Sequence, residues 1–183
     1  MLIRQALPED SAVISKLLML PTGEVILKLI GEKNQAKAEE FLLNFIQQTG
    51  NQYSFENCYV TEHDREITGV LLAYDGSKLV ELRKPVLEYI RQQFGLIPAV
   101  EDETEAGEFY IDSIAVTPAL QGHGIGSALL LHLIQQRKGE NLGLLVDKTN
   151  PSAMRLYLRL GFTPVGEKSL LGIELEHLQL KSG

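Results

Sequence analysis

Tyr110-Ile111-Asp112-Ser113-Ile114-Ala115-Val116-Thr117-Pro118 runs directly into Ala119-Leu120-Gln121-Gly122-His123-Gly124-Ile125-Gly126-Ser127, and this stretch decides the fold. Its first half is apolar and partly β-branched, so Phe109 to Val116 reads as a strand. The residues from Gly124 to Arg137 then place Ile125, Leu129, Leu130, Leu131, Leu133 and Ile134 on most sides of a helix, which reads as buried. Between strand and helix lies a glycine-rich turn. The first amides of a helix have no intrahelical acceptor and bind anions. Glycine allows positive φ, so successive N–H groups converge, and without a Cβ it lets a phosphate come close. The order strand, glycine loop, buried helix therefore points to pyrophosphate recognition.

Three readings of the loop compete. A P-loop needs Lys and Ser/Thr directly after its last glycine, and Gly126 is followed by Ser127 and Ala128. A dinucleotide loop needs Gly-x-Gly-x-x-Gly; counted from Gly122 the third place is Ser127, and counted from Gly124 it is Leu129. Asp147, about 20 residues on, is the one feature that fits a Rossmann-like nucleotide-binding protein. The third reading is a strand-to-helix turn with no ligand.

Outward from the loop, Leu2 to Leu7 reads as a strand and Pro8-Glu9-Asp10 as a helix start, with Pro21 expected to interrupt the helix. Val25 to Ile30 reads as a second short helix ending near Gly31. Asn34 to Gln48 is amphipathic, with Phe41, Leu42, Phe45 and Ile46 on one face. Cys58 to Glu62 and Ile67 to Tyr74 form a hairpin around His63-Asp64-Arg65-Glu66. Ser77 to Phe94 is helical with a break near Pro85. Pro98 to Gly107, with Glu101, Asp102, Glu103 and Glu105, reads as a solvated acidic loop. Downstream come a strand at Leu142 to Val146, a helix at Pro151 to Leu160 closed by Gly161, and strands at Phe162 to Val165 and Leu171 to Leu178. Hairpins with one βαβ unit imply a mixed α/β (α+β) fold, one sheet covered by helices.

The 183 residues suit a single domain over 1–183. Hydrophobic residues are 44% and charged residues 22%, a globular balance. No apolar run reaches the ~20 residues of a membrane span, and Met1 to Asp10 turns polar too soon for a signal peptide. One cysteine, Cys58, excludes an internal disulfide, and a cytoplasmic location is expected. A net charge of -7 argues against general nucleic-acid binding. His63, His123, His132 and His177 share no metal-ligand spacing, so no metal is expected. The sequence is compatible with a homodimer.

Gln121-x-x-Gly124-x-Gly126 resembles the acyl-CoA pyrophosphate motif of the GNAT acetyltransferases, (Arg/Gln)-x-x-Gly-x-(Gly/Ala). Ile111 to Pro118 is similar to the strand that precedes it there. Asn150-Pro151-Ser152-Ala153-Met154-Arg155-Leu156-Tyr157-Leu158-Arg159-Leu160-Gly161-Phe162 resembles the family's second signature. Ile3-Arg4-x-Ala6, followed by Glu9-Asp10, is similar to its opening. The resemblance implies a mostly antiparallel sheet with a helical insertion between the third and fourth strands. It implies acetyl-CoA as acyl donor to an amine-bearing acceptor in a ternary complex. Ile114, Ala115 and Val116 would meet the pantetheine, Val116 through its backbone. Gln121, Gly122, His123, Gly124, Ile125, Gly126 and Ser127 would surround the pyrophosphate. Asn150, Ala153 and Tyr157 would complete the cofactor site, with Tyr157 as proton donor to the leaving thiolate.

An acceptor ammonium must lose a proton before it attacks, and a carboxylate serves. Alternation puts Glu108, Tyr110, Asp112, Ile114 and Val116 on one strand face. Asp112 is the only charge inside that apolar strand and is the first choice of base; Glu108 is the second, and the acids from Glu101 to Glu105, directly ahead of the strand, read as solvated or, alternatively, as an attraction for a cationic acceptor. A structural role fits Asp112 nearly as well, and Asn150 before Pro151 is in any case an expected N-cap. A CoA-binding sensor of the same fold is the remaining alternative to an enzyme.

Overall fold

The structure is a computed structural model that describes residues 1–183. Seven strands share one sheet: β1 (Leu2–Gln5), β2 (Cys58–His63), β3 (Glu66–Asp75), β4 (Phe109–Val116), β5 (Leu142–Asp147), β6 (Thr163–Leu170) and β7 (Ile173–Leu180). Their spatial order is β1-β2-β3-β4-β5-β7-β6. Every neighbouring pair is antiparallel except β4 and β5. The helices are α1 (Ser11–Ile30), α2 (Gln35–Ile46), α3 (Leu79–Phe94), α4 (Ile125–Gln136) and α5 (Pro151–Arg159). The expected mixed α/β, mostly antiparallel architecture is present, with α3 as the helix between the third and fourth strands. A single parallel pair is not the doubly wound sheet of a Rossmann domain.

Side-chain alternation divides the interior into two cores. On one face Val60, Val70, Leu72 and Ala115 meet Leu18 of α1, Phe41 of α2 and Val86 and Ile90 of α3. On the other, Leu71, Ala73 and Ile111 meet Leu129, Leu130 and Leu133 of α4 and Tyr157 of α5. Leu131, expected to be buried with the rest of α4, faces outward. The β2–β3 turn is tighter than expected. Asp64 and Arg65 both hold positive φ, 50° and 68°, as a two-residue hairpin turn between right-twisted strands requires. At the N-terminus Arg4 grips Asp10 through two nitrogens, at 2.7 and 3.1 Å, and Glu62 at 2.9 Å. The residues of the opening motif thus tie β1 to the start of α1 and to β2.

Both prolines expected to break helices lie inside continuous ones: α1 passes through Pro21 and α3 through Pro85. Such a proline costs about 3 kcal/mol. Each buried aliphatic side chain contributes roughly 1.5–3 kcal/mol. Leu17 and Leu18 before Pro21, with Ile26, Leu29 and Ile30 after it, are all buried, so packing outweighs the local penalty. No helix is long and apolar enough to cross a membrane.

Two further expectations are corrected. The loop from 98 to 107 is not solvated throughout, because Glu103 and Thr104 are buried to 7% and 2% exposure. Nor does β4 alternate regularly. Its register with β3 runs Leu72↔Ser113 and then Ala73↔Ile111, which leaves Asp112 without a partner as a bulge. Tyr110 consequently packs with Tyr74, whereas Ile114 and Val116 pack with the α4 cluster on the opposite face.

Glu108, ahead of β4, lies deep beside β5 and β7. It accepts hydrogen bonds from Thr104 Oγ1 (2.7 Å), His177 Nε2 (2.9 Å) and Gln179 Nε2 (2.8 Å). Burial alone would raise its pKa, but these bonds hold it below the ordinary carboxylate value. Gly143 makes room for it, since a Cβ there would collide with the Glu108 carboxylate. Gly143→Ala should therefore destabilise the fold by roughly 1–3 kcal/mol. Urea unfolding checks this, and a second change, Glu108→Ala, should remove most of the added penalty because the collision disappears.

Candidate active site

The β4 and β5 strands pair only at Phe109↔Leu142, Tyr110↔Gly143 and Ile111↔Leu144. From the bulge at Asp112 onward they part, while β5 stays paired to β7 through Asp147. The amide of Thr117 donates to Thr68 O on the β3 side. Alternation then turns the amides of Ile114 and Val116 to the opposite side, the open edge. Two clefts meet there, and Leu20, Pro21, Ile114, Asn150 and Ala153 line both.

The first cleft, about 720 Å³, runs from Ile114, Ala115 and Val116 to Gln121, Gly122, Gly124, Ile125, Gly126 and Ser127. Gly124 is the N-cap of α4, with φ 84°, and offers no capping side chain. The first amide of this region to find a protein acceptor is that of Ala128, bonded to Gly124 O at 2.9 Å. Those from Gly122 to Ser127 remain free for an anion. A Cβ on Gly124 would meet nothing within 4 Å, so the space in front of this turn is open. Gln121 donates from Nε2 to Val116 O at 3.2 Å, which fixes the loop rather than a ligand. His123 is exposed, with Nδ1 3.1 Å from Gln121 O, and does not line the cleft.

Arg155 and Arg159 line this cleft as well, and Arg159 Nη2 donates to Ser127 Oγ at 3.2 Å. They supply the positive charge that Gln121 does not. Their four-residue spacing on α5 is the signal for them in the sequence, since it puts both on one helix face.

The second cleft, about 550 Å³, brings Asp112, Tyr157 and Asn150 together with Tyr53, Tyr110 and Glu103. Glu108 is not part of it. Asn150 Oδ1 accepts the Ala153 amide at 3.1 Å, the expected N-cap of α5. At the other end, Phe162 N bonds Tyr157 O and Gly161 N bonds Leu158 O, a Schellman closure with Gly161 at φ 95°. This turns the buried Phe162 ring against Tyr157, with centroids 6.0 Å apart, and locks the phenol in place. Burial pushes the Tyr157 pKa up to about 12, so the hydroxyl keeps its proton at neutral pH. Asp147 serves the turn it begins, where its Oδ1 accepts from Thr149 N and Oγ1, both at 2.7 Å.

Asp112 borders the cleft with part of its surface, yet its carboxylate is set deep in the protein. Burial first, and the Glu103 carboxylate second, push its pKa up to about 7. Ser113 Oγ donates to Oδ1 at 2.8 Å, and Tyr74 Oη lies 3.1 Å from Oδ2. Glu103 is held by Tyr74 Oη at 2.8 Å and by Gln52 Nε2 at 3.4 Å. Arg83 pairs with Asp102 at 3.0 Å; its Nη2 lies 3.4 Å from Glu103 without hydrogen-bond alignment. The sequence marks Glu103 only as one of several acids in the loop ahead of β4, because nothing local distinguishes it from the acids around it.

A strand pair that opens onto a helix start with free amides offers a slot for an extended, anion-bearing ligand. The sequence model of the acetyltransferase (GNAT) family matches residues 27–162, and the chain belongs to that family. Its structure is similar to that of an N-acetyltransferase from Staphylococcus aureus Mu50, with a TM-score of 0.87 and 26% identity over 98% of this chain and 100% of that one. Among curated relatives, the spermine/spermidine N(1)-acetyltransferase of Bacillus subtilis is 31% identical over 83 residues, 43% of this chain and 55% of the relative. This chain thus spans about half the length of that protein. An acetyltransferase of Agrobacterium fabrum is 32% identical over 108 residues, 57% of this chain and 79% of the relative.

Two outcomes follow from the site's geometry. Gly124→Asn keeps a residue that tolerates positive φ but fills the cradle. It should weaken acetyl-CoA binding at least about tenfold, or roughly 1.4 kcal/mol, in calorimetric titration, with the fold intact. Asp112 binds its proton more tightly folded than unfolded, its ordinary value being 3.8. Between about pH 4 and 7 the native state holds more protons than the unfolded state, so stability from this group falls as pH rises. Asp112→Asn should therefore raise Tm at pH 8, and the gain should vanish towards pH 4 in thermal melts.

Proposed function

We propose that residues 1–183 form a single acetyltransferase domain that moves an acetyl group from acetyl-CoA to a primary amine in a ternary complex. The observation that carries this reading is the open β4 edge, at the junction of a phosphate-binding cleft and an acid-lined one. Ile114 and Val116 offer backbone groups for the pantetheine, and the amides from Gly122 to Ser127, with Arg155 and Arg159, suit the phosphates. In that pose the thioester reaches the edge near Val116, and the acceptor enters from the second cleft. The amine attacks the thioester carbonyl and the CoA thiolate leaves.

Asp112 accepts the proton that the acceptor ammonium must lose. A carboxylate with a pKa near 7 is matched to that transfer at neutral pH. Tyr157 acts at the leaving group. A thiol has a pKa of ~8.5, below that of the phenol, so complete proton transfer from Tyr157 runs uphill. Its contribution is a hydrogen bond to the thiolate as charge develops, which lowers the barrier without an ionised tyrosine.

The acceptor cleft favours a cationic amine. Glu24, Glu103, Asp112 and Asp147 line it, and no Lys, Arg or His does. An acceptor with a carboxylate beside its amine would find no partner for that charge. The name of the Bacillus relative, a spermine/spermidine acetyltransferase, agrees with this preference.

Thiol release from acetyl-CoA against a panel of amines tests the proposal. Diamines and polyamines should turn over with higher kcat/KM than amino acids. Acetyl-CoA binding without turnover of any amine would mark a CoA sensor instead. Tyr157→Phe should lower kcat by roughly 10- to 10³-fold while the acetyl-CoA Kd stays within a few-fold. Full kcat in that variant would make Tyr157 a packing residue.

A further inference from the structure

The contacts of the Tyr74 hydroxyl cannot all be made by its own hydrogen. Oη lies 2.8 Å from Glu103 Oε1 and 3.1 Å from Asp112 Oδ2. A phenol has one proton to give, and its oxygen can accept one or two more. If it donates to Glu103, the contact with Asp112 is a hydrogen bond only when Asp112 carries a proton and donates to the phenol oxygen. The mirror arrangement protonates Glu103 and directs the phenol hydrogen to Asp112. All three residues are held firmly: Tyr74 is 2% exposed, Glu103 7%, and Asp112 is fixed by Ser113.

We propose that Tyr74 and Glu103 are positioning residues for the acid–base step, forming a chain Asp112–Tyr74–Glu103 that takes up the acceptor's proton and passes it on. The proposal rests on Asp112 as the base. The step balances without a further reactant. An N–H bond of the ammonium breaks and an O–H bond forms at Asp112. That hydrogen moves to the Tyr74 oxygen as the original Tyr74 hydrogen moves to Glu103. Asp112 is left ionised, Tyr74 is again a neutral phenol, and Glu103 holds the proton. Glu103 lines the cleft, so it can return the proton to water there.

The other groups facing Asp112 do not provide this path. Cys58 of β2, Tyr53 and Tyr110 are pushed upward by burial first and by neighbouring carboxylates second, and none has a hydrogen bond to Asp112. Arg83 of α3 is a fixed cation near Glu103. Glu24 of α1 lines the same cleft but pairs with Lys28 at 3.1 Å.

The test is a double-mutant cycle on the full chain, read as pH profiles of kcat and kcat/KM with an amine that turns over. Tyr74→Phe keeps the ring and Glu103→Gln keeps the volume, and circular dichroism with melting curves confirms that each variant is folded. Each single variant should lower kcat about tenfold or more, with the acetyl-CoA Kd within about two-fold. The acid limb of kcat/KM should move to lower pH in Glu103→Gln, because one of the charges that opposes Asp112 ionisation is gone. The double variant should be no slower than the slower single variant, since a broken chain cannot be broken twice. Losses that multiply, or an acid limb that stays in place in Glu103→Gln, would overturn the relay. Asp112→Asn separates base from relay: full activity there defeats the base itself, whereas a dead Asp112→Asn beside an unimpaired Tyr74→Phe defeats only the relay.

Discussion

Strands that part inside a sheet leave backbone N–H and C=O groups facing one another across a gap. A buried group of this kind left unpaired costs about 1–3 kcal/mol. Here β4 and β5 share three residue pairs and then separate, at the position where β4 carries its extra residue, Asp112. The bulge turns the next residues, so Ile114 and Val116 lie over α4 and their amides face the gap. The clefts that border the gap leave these groups open to solvent or to a ligand. The glycine loop that leads from β4 into α4 sets its free amides beside the same gap, and α5 closes the far side with Asn150 and Tyr157. The two clefts, the free amides of the glycine loop and the grouping of Asp112 with Tyr157 all follow from one interrupted strand pairing.

The same bulge explains the charge distribution. An acid on a regular strand would point either into an apolar core or out to a helix. At the bulge Asp112 instead reaches Tyr74 and, through it, Glu103. Burial first, and the neighbouring Glu103 carboxylate second, oppose the ionisation of Asp112. That raises the proton affinity of Asp112 and costs stability at the pH where the group is ionised. Such trade-offs between stability and reactivity are expected where a pKa is tuned for proton transfer.

The parts of the fold legible in the sequence are those carried by residues with special backbone chemistry. Gly122, Gly124 and Gly126 announce a turn that needs positive φ or close approach, and Asn150-Pro151 with Gly161-Phe162 marks both ends of α5 through capping alone. Strand β4 is readable to the residue from its apolar run. The bulge is not, because a bulge is a mismatch between two strands and leaves no trace in either one alone. Pro21 and Pro85 mislead for a related reason: local propensity is overruled where residues on both sides are buried. Glu103 sits among acids that resemble it, and its burial depends on Tyr74, Gln52 and Arg83, which lie 20 or more residues away in sequence. Arg155 and Arg159 stand in plain view inside the second signature, but only the packing of α5 beside Ser127 sets them on the glycine-loop cleft.

All of this depends on the open edge of β4 being the place where acetyl-CoA binds. Amide hydrogen exchange, resolved by residue with and without acetyl-CoA, tests this most directly. The amides of Ile114 and Val116, and those from Gly122 to Ser127, should exchange readily in the free protein and become protected when acetyl-CoA is added. The amides of Ser113 and Ala115, which face β3, should be protected in both states. Protection that appears elsewhere in the chain, or Ile114 and Val116 amides that exchange equally fast with acetyl-CoA bound, would contradict binding at this edge.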